Sequence, residues 1–150
     1  MEHEGMVHAL SEIHRVLVPN GILIDLRPMN DQWPIEVFST RETQETGRVT
    51  DLPPGLEDDN AANQAMANAE SKKWFWRESS DFFPIHYVWE SASEMEQWID
   101  EEWENFSLNE EVKRATRSAW ALGDGDTCVR VKVKMLITRW MKNPLPITNH

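Results

Sequence analysis

The chain is predicted to adopt an α+β fold, a mixed β-sheet of about four to five strands with helices packed on it. Three observations carry that prediction. Apolar residues recur at helical spacing near the N-terminus. A capped amphipathic helix follows Ser91, and a long alternating strand closes the sequence. At 150 residues the chain suits a single domain, able to bury about two-thirds of its unfolded surface.

Met6, Leu10, Ile13 and Leu17 mark a helix over 6–17, with Ala9 and Val16 beside the stripe. Val18-Pro19-Asn20-Gly21 ends it, because proline cannot continue a helix and biases the residue before it away from helical angles. Gly21 to Leu26 is a short apolar run, which predicts a strand buried on both faces and stopped by Arg27-Pro28. Ile35 to Ser39 alternates like a half-buried strand, and Gly47 to Thr50 is placed to pair with it as a hairpin. Pro53-Pro54-Gly55 reads as a loop. Residues 58–73 favour a helix with an aspartate N-cap and a thin apolar face of Ala62, Met66 and Ala69.

The aromatic segment from Trp74 to Trp89 is interrupted by Ser79-Ser80-Asp81, and its second half, from Phe82, reads as a strand with Pro84 near its start or an edge. Ser91-Ala92-Ser93-Glu94 fits a capping box, followed by Met95, Trp98, Ile99, Trp103 and Phe106 along one helical face. A further helix is expected over 108–122, with Val112, Ala115, Ala119 and Leu122 on its stripe and Gly123 as its cap. The final strand spans 127–141. Val129, Val131, Val133 and Met135 alternate with Arg130, Lys132 and Lys134, and the alternation slips at Met135-Leu136-Ile137. Residues 143–150 form a tail.

Composition narrows the function classes. A net charge of -11 argues against unaided binding to nucleic acid or to an anionic membrane surface. No run of about 18 apolar residues exists, so no membrane span is expected. The acidic start, Met1-Glu2-His3-Glu4, is unlike a signal peptide, and the lone Cys128 leaves no intrachain disulfide or thiolate-rich metal site. These features point to a cytoplasmic protein. Eight tryptophans against one tyrosine imply either a heavy aromatic core or an apolar cavity or interface.

The segment from Ala9 to Pro28 resembles part of the class I S-adenosylmethionine-dependent methyltransferase family. The matching residues are Ala9-Leu10, Glu12, Arg15-Val16-Leu17-Val18-Pro19-Asn20-Gly21 and the strand from Ile22 to Leu26. Val18 stands where the family commonly has lysine, and Asn20 where it has glycine. The resemblance implies a C-terminal, truncated Rossmann-like portion, whose later helices and antiparallel final strands shape the substrate side of the pocket. It also implies that the family's cofactor-binding elements would precede residue 1. Gly123-Asp124-Gly125 lies between a helix and a strand, the reverse of a cofactor turn. No cofactor-binding residue is carried over, and S-adenosylmethionine is expected only if another half is supplied.

The expected function is therefore a non-catalytic, methyltransferase-like remnant acting as a homodimeric interaction or small-molecule-binding protein. The alternative is part of a methyltransferase completed by another chain or an upstream segment. A doubly wound sheet without its first strands would expose an edge, which predicts pairing with a second copy or a second chain. The residues singled out for a pocket, with a small apolar molecule as its ligand, are Asp25, Arg27, Trp76, His86, Tyr87 and Trp89. Asp25 and Arg27 share a strand face, as a site acid or as a simple ion pair. His86 is either an acid–base group or a core histidine. No metal is expected, because His8 and Glu12 converge one turn apart whereas His14 points elsewhere. The basic row Arg130, Lys132, Lys134 and Arg139 either docks acidic groups, including Asp100-Glu101-Glu102-Glu104, or is solvated.

Overall fold

A computed structural model describes residues 3–143, so the predicted tail beyond Asn143 lies outside the described residues. Among the described residues, four helices accompany a five-stranded antiparallel sheet, an α+β architecture. The helices are α1 (His3–Val16), α2 (Pro53–Ser71), α3 (Ala92–Glu102) and α4 (Glu110–Ala121). The main sheet contains β1 (Ile22–Pro28), β2 (Pro34–Phe38), β3 (Thr43–Arg48), β5 (Phe75–Trp89) and β7 (Cys128–Lys142). Its order is β1-β7-β2-β3, and β5 also pairs with β7. A two-stranded sheet joins β4 (Thr50–Asp51) to β6 (Phe106–Ser107). No helix among the described residues is long and apolar enough to cross a membrane.

The chain divides into two compact units. In the first, formed among the described residues by 3–28, 57–83 and 135–143, Leu10 of α1 packs with Ala65, Met66 and Ala69 of α2, and with Phe75 and Trp140. Met6, Ile13 and Leu17, three members of the predicted stripe, line the same cluster. Met66 and Ala69 are buried as expected, but Ala65 takes the core position expected of Ala62, which is only half-buried. Asn20, with φ 65°, takes the left-handed turn after α1, a conformation asparagine tolerates better than most residues.

In the second unit, formed by 29–56 and 84–134, Ile35 and Val37 of β2 pair with Val131 and Val129 of β7, and all four are buried. The β2–β3 hairpin begins at Thr43 rather than Gly47. Gly47 sits where α4 comes close: a Cβ there would lie 2.6 Å from a Val112 methyl. The Ser91 hydroxyl accepts the Glu94 N–H at 3.2 Å, which closes half of the predicted capping box. The Glu94 carboxylate instead accepts from Glu90, one residue before the cap.

Several expectations are corrected. The sheet is antiparallel rather than mixed. β1 is not buried on both faces: Ile22, Ile24 and Leu26 are 41%, 50% and 52% exposed, whereas Leu23 packs against the core. Helix α2 starts at Pro53, because a proline costs nothing in a first turn whose N–H groups are unpaired anyway. β5 runs unbroken through Ser79-Ser80-Asp81, where Ser80 meets Thr138 hydroxyl to hydroxyl at 3.1 Å. On α4 the buried residue is Thr116, while Leu122 is 89% exposed. Gly123 does not take the left-handed cap conformation; it makes room for the Thr127 side chain.

Candidate functional site

Strand β1 carries the most informative surface. Its backbone polarity follows from two bonds. The Lys142 N–H donates to the Gly21 carbonyl at 2.8 Å, and the Met29 N–H donates to the Lys134 carbonyl at 2.9 Å. Backbone bonding direction alternates along an antiparallel strand. Odd-numbered residues of β1 therefore bond to β7, and Ile22, Ile24 and Leu26 turn their N–H and C=O groups to the opposite edge. β1 pairs with β7 alone among the described residues. The same three residues carry the exposed apolar side chains, so an open backbone edge and an uncovered apolar row coincide. Pro28, also facing outward, contributes a carbonyl but no N–H.

Asp25 and Arg27 project from the other face of β1. Arg27 Nε donates to Asp25 Oδ1 at 2.9 Å, and Arg27 Nη2 donates to Asn63 Oδ1 of α2 at 3.1 Å. Arg27 Nη1 is buried without a hydrogen-bond partner. The pair is thus a partly buried ion pair that pins α2 to the sheet, the plainer of its two readings.

The predicted pocket residues are divided between the two units, with Asp25 and Arg27 in the first. Trp76 belongs to the first unit and is exposed; His86, Tyr87 and Trp89 belong to the second. His86 is exposed, so it is not a core histidine. Tyr87 and Trp89 stack at 6.3 Å and meet Trp103 edge-on, at 5.2 and 6.1 Å. Trp33 and Phe106 complete this aromatic cluster at 4.4 Å from each other. Only Trp33 and Trp140 are buried tryptophans, so the heavy aromatic core is confined to two of the eight indoles.

One cavity of about 590 Å³ lies between α3 and α4. Glu96, Asp100, Trp103, Phe106, Lys113 and Arg117 line it. Arg117 donates to Glu96 Oε2 at 2.9 Å, leaving Oε1 buried and unpartnered. The sequence displays Glu96 and Asp100 only as part of an acidic stretch, and nothing in their spacing signals a groove.

The basic row on β7 is largely neutralised within the fold. Arg130 pairs with Glu36 at 2.9 Å, Lys134 with Asp31 at 2.9 Å, and Arg139 with Glu78 at 2.6 Å. Its acidic partners come from neighbouring strands and loops, not from the 100–104 run. Among the described residues no group of three or more potential ligands could hold a metal ion. Glu12 is held by Arg15 at 2.8 Å, which lowers its pKa, and His14 sits edge-on to Phe75. Burial, and then the Lys142 charge, push the His14 pKa below its ordinary value.

Comparison of the chain with family models, with curated proteins and with solved structures finds no match.

Proposed function

We propose that this chain is a methyltransferase-like interaction module, without catalysis of its own, that works by accepting a β-strand at the edge of β1. The observation that carries this reading is the coincidence on β1 of outward N–H and C=O groups with the exposed row Ile22, Ile24 and Leu26. Unpaired backbone groups on an apolar edge are a template for strand addition, where main-chain bonds supply affinity and alternate side chains supply specificity. The methyltransferase-like part rests on the sequence resemblance over Ala9 to Pro28. The turn with left-handed Asn20 and the antiparallel pairing of β7 with β1 are compatible with it.

Two measurements test the reading. Amide hydrogen exchange on the dilute chain should show Ile22, Ile24 and Leu26 exchanging much faster than Leu23, Asp25 and Arg27. Uniform protection along β1 would mean that the edge is closed. Isothermal titration with S-adenosylmethionine and S-adenosylhomocysteine should give no heat, and micromolar binding would overturn the non-catalytic half of the reading.

A further inference from the structure

We infer that the strand received by β1 is β1 of a second copy, paired antiparallel about a two-fold axis at Ile24. This inference rests on the strand-accepting reading above and names its partner.

The sequence of β1 is self-complementary in that register. With Ile24 opposite its own symmetry mate, Ile22 faces Leu26 of the other copy and Leu26 faces its Ile22. All three are outward residues, so each such pair can exchange two backbone hydrogen bonds. Their side chains emerge on the uncovered face, giving an unbroken apolar row across the axis. Pro28 selects this register. Centring on Leu26 would set Ile24 against Pro28, whose nitrogen cannot donate. Centring on Ile22 would set Leu26 against Val18, outside β1. On the other face Leu23 comes opposite Asp25 of the second copy, and that carboxylate already has its charge matched by Arg27 at 2.9 Å. No unpaired charge is trapped at the axis.

A closed two-fold pairing uses the edge once and leaves nothing to propagate. The patch is small beside the ~1,600 Å² of a standard interface, so dissociation on the order of micromolar is expected.

The test is sedimentation velocity over a micromolar concentration series, with charge pairing at the axis. Ile24→Lys and Ile24→Glu each set like charges face to face. Both should weaken the dimer by about tenfold or more, with an unchanged circular dichroism spectrum. An equimolar mixture of the two variants should restore it, because opposite charges then meet. Leu122→Lys, on an exposed residue of the other unit, should leave the dimer intact. The inference is overturned if the wild-type chain stays monomeric, if either single variant dimerises as the wild type does, or if the mixture fails to rescue. Should the chain be monomeric with fast-exchanging Ile22, Ile24 and Leu26 amides, the second copy falls while the open edge stands. A monomer with those amides protected overturns both.

Discussion

The hydroxyls of Thr46 and Thr116 lie 2.7 Å apart, and Thr116 is fully buried on α4. Thr116 donates to the Val112 carbonyl at 2.8 Å, so Thr46 must donate to Thr116. The Thr46–Thr116 bond ties β3 to α4 at the place where Gly47 admits Val112, and the second bond, within α4, orients the Thr116 hydroxyl to accept it. Thr116→Val removes the acceptor and leaves the Thr46 hydroxyl without its partner. It should cost about 1–2 kcal/mol by urea unfolding, and Thr46→Val should cost less. A double-mutant cycle with no coupling between the two positions would contradict the pairing.

The α3 cap gives a second expectation. Ser91→Ala loses the acceptor for the Glu94 N–H and should destabilise the protein by about 1 kcal/mol, whereas Ser91→Asp should retain most of the stability. Denaturant midpoints of the two variants decide this directly.

Asn20 offers a test of backbone strain. With φ at 65°, Asn20→Gly should be neutral or stabilising, and Asn20→Ala should cost about 1 kcal/mol. Equal midpoints for the glycine and alanine variants would show that the turn relaxes.

His14 links the first unit to pH. Its folded-state pKa is lowered, chiefly by burial and then by Lys142, so the unfolded chain binds the proton more readily. The stabilising contribution is fully present above the unfolded value, about 6.5, and is lost as pH falls through the lower folded value. Thermal midpoints should therefore decline across that acidic window, and His14→Phe should flatten the decline. An NMR titration placing His14 at or above its ordinary value would remove the basis for this.

Elements with strong local chemistry were legible in the sequence. The Leu10 stripe, the Ser91 cap and the alternating valines of β7 each declare their structure within a few residues. β7 even shows its change of phase, with Val133 and Leu136 buried and Lys134-Met135 between them only partly so. What escaped depends on distant partners. Ser79-Ser80-Asp81 looks like a break until Thr138 is placed beside Ser80. Pro53 looks like a loop until the helix after it is seen to need no N–H there. The candidate edge was half legible: the apolar run located β1, but its outward-facing residues follow only from the register on β7. The groove between α3 and α4 was not legible, because its two walls are set by packing rather than by spacing.

The ion pairs along β7 have an electrostatic consequence for association. Arg130, Lys134 and Arg139 are each matched by a local carboxylate, so they offer little free positive charge to an approaching copy. Each chain approaches with its full excess of -11. Added salt shortens the range of that repulsion, from about 8 Å at physiological strength to about 3 Å at 1 M. Two such chains should thus meet more readily in concentrated salt, the opposite of an interface built on opposed charges.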